Sequence, residues 1–327
     1  MTTHRPIEPR TSISMIEGDR PSRARRRLLA MLAALPCVPA LASPAVPVIG
    51  TAGVVSSAHG PSRRIVVLDW DLTEIVLSLG VVPVGVARPS WYARTDGVPP
   101  LPAEVVDTGL LFQPNFEVLA RIAPDLIVIT PWHAMLRPML ERIAPTLTIG
   151  LFEPDADVWT SLRIQTRRLG AALDRATEAD ALLRRADASI AAHAAALHAN
   201  ATAVRPVYLI QPLDATHVNV FGPRGLFGCV LRELGIANAW RDPTDLRGVA
   251  ETDLAALARD ADAQAVLIGP PPPGIGDTLA HSPLWRALPF VDPARIHQIE
   301  RLSATGGLVT AMRFATQIAG VLGAQAS

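Results

Sequence analysis

The residues with chemistry to offer are aromatic rings and arginines standing just after short apolar runs. Trp70 follows Ile65–Leu68, and Trp132 and His133 follow Leu126–Thr130. Trp91, Tyr92 and Arg94 share one segment, with Leu111 and Phe112 further on. In the second half, Arg247, Arg301, Ser303 and Thr305 fall in comparable positions. Rings supply large apolar faces, and Arg supplies a planar fork of donors for carboxylates and other anionic oxygens. This is the chemistry of holding a bulky, oxygen-rich ligand. The 30 basic residues are all Arg, so any basic patch is built of such forks.

Signatures of catalysis are missing. There is no Gly-x-Ser-x-Gly, no Walker loop and no His-Glu-x-x-His. Gly222-Pro223-Arg224-Gly225 is a glycine-rich turn, but the proline makes it a weak phosphate signal. The eight His form no ligand set. His193 and His198 are five apart on a helix and do not share a face. Neither a protein-held metal nor a cofactor is expected.

The elements that must carry these residues alternate between strand and helix. Strands are expected at Ile65–Leu68, Val84–Ala87, Leu126–Thr130 and Leu147–Ile149, where apolar, β-branched runs suit burial on both faces. Helices are expected at Leu72–Leu79, at Asn115–Ile122 with an Asn cap, and at Met135–Ile143. From about Asp157 to Ala201 there is no strand signal, and two helices are expected, about Asp157–Leu173 and Thr177–Leu197. The alternation then resumes. Strands are expected at Val207–Ile210, Val218–Phe221, Ala265–Ile268 and Ile296–Ile299, and helices at Leu226–Leu234, Asp253–Ala258 and Leu308–Leu322. Such alternation implies two α/β lobes with parallel sheets, joined by a long backbone helix. The ligand cleft lies between the lobes, beyond the carboxyl ends of the strands. The expected boundaries are 62–156 for the first lobe, 157–173 for the linking helix and 174–327 for the second lobe.

The first 42 residues read as an export signal. Arg20, Arg23 and Arg25–Arg27 precede an apolar stretch from Leu28 to Leu41, and Ala40-Leu41-Ala42 is a small-x-small cleavage site. Arg25-Arg26-Arg27-Leu28-Leu29 has the twin-arginine form. Residues 43–61 read as a flexible leader. Cleavage after residue 42 removes seven Arg and three acids, leaving 23 Arg against 27 Asp and Glu. That balance excludes a typical nucleic-acid binder. Only Cys229 remains, so the mature chain forms no internal disulfide.

The order of several segments resembles a known family. Gly80-Val81-Val82-Pro83-Val84-Gly85-Val86 is followed by Pro99-Pro100-Leu101-Pro102, Val106-Asp107-Thr108-Gly109 and Pro114-Asn115-Phe116-Glu117. Phe221-Gly222-Pro223-Arg224-Gly225-Leu226-Phe227, Gly235–Trp240 and Ser282–Pro289 come next. Together they resemble the periplasmic ferric-hydroxamate (ferrichrome-type) siderophore-binding proteins, which are helical-backbone substrate-binding proteins of iron ABC transporters. The resemblance implies a ferric siderophore as ligand, with iron present only inside the chelate. It also implies an inner-membrane ABC permease with its ATPase as partner, and a monomer with small hinge motion.

The site departs from that pattern. Leu111 stands where the family grips a hydroxamate with Arg, and His133 stands at or near its gripping Tyr. Arg247 replaces a pocket Trp, and Ser303 and Thr305 replace an aromatic pair. The resulting expectation is a relocated grip through Arg94, Arg247 and Arg301, aided by Trp70, Trp91 and Trp132, on a ligand with anionic oxygens. Permease docking is expected through Glu141 on one lobe and Glu251 or Asp253 on the other. A binder of haem or cobalamin on the same scaffold is the alternative, and a periplasmic hydrolase is the remote one.

Overall fold

The computed structural model describes residues 64–95, 97–154, 156–199 and 204–323. The expected signal peptide and leader lie outside these residues. The first sheet is built from β1 (Ile65–Val67), β2 (Gly85–Val86), β3 (Val106–Asp107), β6 (Leu126–Ile129) and β7 (Thr146–Thr148). Its order is β3-β2-β1-β6-β7, and every pairing is parallel. A small hairpin of β4 (Gly109–Leu110) and β5 (Gln113–Pro114) stands beside it. Its helices are α1 (Trp70–Ser78), α2 (Pro89–Thr95), α3 (Phe116–Ile122) and α4 (Arg137–Leu140).

Two helices cross to the second sheet, α5 (Val158–Ala172) and α6 (Ala176–Ala199). The longer is α6, at 24 residues, against 15 for the helix expected to form the backbone alone. Gly170 explains the tight turn between them. A Cβ there would meet the Ala179 methyl at 2.6 Å.

The second sheet contains β8 (Val207–Pro212), β9 (His217–Phe221), β10 (Val249–Asp253), β11 (Gln264–Ile268) and β12 (Ile296–Ile299), in the order β10-β9-β8-β11-β12. It is mixed. β8 pairs antiparallel with β9 and β9 with β10, while β8-β11 and β11-β12 are parallel. The expectation of a purely parallel second sheet is therefore corrected. Thr216, Asp214 and His217 close a short hairpin turn, and a direct hairpin forces antiparallel pairing. The helices here are α7 (Leu226–Glu233), α8 (Ile275–His281), α9 (Pro283–Arg286) and α10 (Leu308–Gly323).

One apolar core runs through both lobes. It joins Ile65 and Val128 of the first sheet to Leu209 and Val266 of the second, by way of α5, α6, α7 and α10. Phe227 and Phe314 stack at 4.4 Å inside it. A second tie is polar. Glu74, buried on α1, accepts from the amides of Gly307, Val309 and Thr310 and from the Thr310 hydroxyl, at 2.7–3.0 Å. A first-lobe carboxylate thus caps the amino end of α10, where unpaired amides and the helix dipole favour negative charge.

Candidate ligand cleft

In the first sheet the chain leaves β1 to one side and returns as β6 on the other. Ligands of open α/β sheets bind at such a switch point. Asp69, in extended conformation, caps α1 by accepting from Leu72 N–H at 3.0 Å. That turn leaves Trp70 over the end of the sheet, where its Nε1 donates to Ala87 O at 2.7 Å. Burial pushes the Asp69 carboxyl above its ordinary value, although the Leu72 amide partly offsets this.

After β6 the chain enters a 3-10 turn at Pro131–His133. Trp132 projects outward, 58% exposed, while His133 is buried. The Nε2 of His133 meets the Leu111 carbonyl at 2.9 Å, so that nitrogen carries the proton. Nδ1 then accepts from Thr130 N–H at 3.2 Å. The imidazole ties the β6 turn to the tip of the β4–β5 hairpin, which presents Leu111 and Phe112. Beyond β7, Gly150 lets the chain fold tightly. A Cβ there would strike the Glu153 carboxylate and the Pro131 ring.

The second lobe contributes the turn before β10. Asp245 Oδ1 accepts from the amides of Arg247 and Val249, and Oδ2 pairs with the Arg247 guanidinium at 2.8–2.9 Å. Thr305, after β12, donates to Asp71 Oδ1 at 3.0 Å, with Ser303 beside it.

These segments enclose an open cleft of about 710 Å³. Trp70, Phe112, Trp132 and Phe152 give it aromatic walls, Asp71 and Thr305 lie across its floor, and Asp245–Arg247 faces them from the second lobe. The volume suits a ligand of several hundred daltons.

Of the residues expected from sequence, Trp70, Leu111, Trp132, Arg247 and Thr305 come together here. Trp91 lies behind Trp70, ring centroids 5.7 Å apart, and Arg94 sits on its outer face at 4.8 Å. Tyr92 is in the core, its hydroxyl donating to Pro99 O at 2.7 Å. His133 supports the wall without forming it. Arg301 donates to Pro270 O at 3.2 Å, and Ser303 acts through Asp71 and Thr305.

The three arginines expected to grip the ligand are placed differently. Only Arg247 of the three lines the cleft, and Asp245 already holds its fork. Asp69, Asp71, Phe152, Glu153, Asp245 and Leu246 line the cleft without having been anticipated. Asp69 to Asp71 follow closely on β1, the same positional signal that points to Trp132, whereas Phe152 and Glu153 come only after three further residues beyond β7.

The acids expected to dock a permease lie on the surface. Glu141 is bonded to Arg137 and to Thr146, contacts that hold its carboxyl below the usual range, Arg137 foremost. Asp253 approaches His217 Nε2 at 3.3 Å, and Glu251 is exposed on β10.

The family model described as "Periplasmic binding protein" matches residues 65–300. The iron(3+)-hydroxamate-binding protein FhuD of Escherichia coli (strain K12) is 30% identical over 275 residues, covering 83% of this chain and 92% of that protein. The achromobactin-binding periplasmic protein of Dickeya dadantii (strain 3937) is 25% identical over 295 residues, 84% of this chain and 91% of that one. Among solved structures, the siderophore-binding protein FhuD from Vibrio cholerae, bound to Fe3+-Desferal, superposes with a TM-score of 0.75. It is 27% identical and covers 81% of this chain and 100% of its own. With its two sheets, its crossing helices and a cleft at the ends of the strands, this chain belongs to the periplasmic binding protein family.

Proposed function

We propose that this chain captures a ferric siderophore in the periplasm and delivers it to an inner-membrane ABC permease with its ATPase. The observation that carries the reading is the aromatic-walled cleft at the switch point of the first sheet, faced by the second lobe. Relatives named for iron-hydroxamate and achromobactin binding support it over most of the chain. Iron enters as substrate, already wrapped by its chelator. Among the described residues no three His, Cys, Asp or Glu side chains are grouped to hold a metal ion. The protein works as a monomer and catalyses nothing. Its one mature thiol, Cys229, is buried, and burial pushes it up to about 11, which leaves it a poor nucleophile. Glu251, Asp253 and Glu141 are the proposed permease contacts.

No helix among the described residues is long and apolar enough to cross a membrane. We place the mature start near Ser43, which N-terminal sequencing of periplasmic protein checks. Calorimetric titration of that form should give saturable one-to-one binding with at least one ferric siderophore. Saturation by haem or cobalamin alone would move the ligand to the alternative class.

A further inference from the structure

We propose that the cleft sorts ferric chelates by charge, preferring those with a cationic arm over anionic ones, and that Glu153 reads the arm. The inference rests on the function proposed above and adds the class of ligand.

It begins with where the positive charge has gone. Arg247 lines the cleft, but both of its contacts with Asp245 are charge-assisted, so the pair presents little net charge. Arg88 and Arg94 lie 5.4 and 4.8 Å from the Trp91 ring and do not line the cleft. Arg301 donates to Pro270 O and Arg224 to Pro154 O; both keep their charge, but neither lines the cleft.

Negative charge has stayed. Glu153 lines the cleft, is exposed at its mouth, and takes part in no ion pair among the described residues. Its carboxylate folds inward over Gly150, where a Cβ would collide with it. Asp71 lies deeper, accepting from the Thr305 hydroxyl. The exposed faces of Trp70 and Trp132 attract cations as well. A ferric complex with surplus carboxylates would meet like charge here. One with an ammonium arm would meet a carboxylate at the mouth.

The test compares two ferric trihydroxamates that differ at one group. Ferrioxamine B carries a free ammonium, and its N-acetylated form is neutral. Ferric citrate serves as the anionic probe. At low ionic strength the wild-type protein should bind ferrioxamine B about tenfold tighter than the acetylated complex, a difference of about 1.4 kcal/mol. Ferric citrate should bind weaker than both. Glu153→Gln should shrink the gap between the two trihydroxamates to about twofold, and added salt should shrink it in the wild type. Equal affinity for the two, a gap untouched by Glu153→Gln, or tightest binding of ferric citrate overturns the charge inference and leaves the proposed function standing. Failure of both trihydroxamates, with binding of haem or cobalamin, overturns the proposed function and the inference with it.

Discussion

Glu74→Ala should lower the melting temperature by roughly 10 °C. The substitution removes the acceptor of four hydrogen bonds from the amino end of α10 and leaves a cavity between the lobes. Leaving buried donors without their acceptor costs about 1–3 kcal/mol for each that water cannot satisfy, and a domain of this size loses ~2–4 °C per kcal/mol. The pH dependence has a definite sign. Burial pushes the Glu74 carboxyl above its ordinary 4.5, more strongly than its four donors pull it back. The folded protein therefore holds the proton more tightly than the unfolded chain does. The associated stability is fully present below about pH 4.5 and is lost as pH rises through the folded value. Glu74→Gln keeps the volume and cannot ionise, so it should cost less than Ala and remove this component of the pH profile. Thermal melts between pH 4 and 8 check both statements. A Glu74→Ala protein that melts within a degree or two of wild type would contradict the role given to this tie.

Trp132→Ala should weaken ferric-siderophore binding by about 30-fold or more, because truncating a central aromatic anchor costs ~2 kcal/mol or more. The same change should leave the melting temperature nearly unmoved, since the ring is 58% exposed in the free protein. Trp91→Ala is the matched comparison. Its ring stands behind Trp70 and carries Arg94 on its outer face, so its removal should affect the ligand only through the position of Trp70. Calorimetry and thermal melts on the two variants separate these cases. Equal losses of affinity would mean that the wall is not the one described.

The pair also shows what can be read from sequence in such a chain. Trp70 and Trp132 were legible because they follow buried strands, and in a parallel sheet that position faces the ligand. Trp91 stands in a similar context but begins no loop into the cleft. It sits within α2, seven residues long, and its helical phase decides where it points. Tyr92, one residue on, faces the core for the same reason.

The arginines illustrate a second limit. Residue type told what Arg247 and Arg301 can do, but not that Asp245 and the Pro270 carbonyl already occupy them. Such pairing depends on turns too short to leave a periodic signal. β10 leaves an equally weak signal. Val-Ala-Glu-Thr-Asp has little hydrophobicity, and its edge position, paired only to β9, demands little. The strand segments that run through the core, Leu126–Ile129 and Ala265–Ile268, are legible because burial on both faces writes an unbroken apolar run.

The central claim is that the chelated iron sits in this cleft. It is tested most directly by locating the metal. Anomalous diffraction at the iron edge, from crystals of the mature protein grown with ferrioxamine B, should show one peak between the Trp70, Phe112 and Trp132 rings on one side and Asp245–Arg247 on the other. A peak elsewhere on the protein, with this cleft empty, would contradict the account.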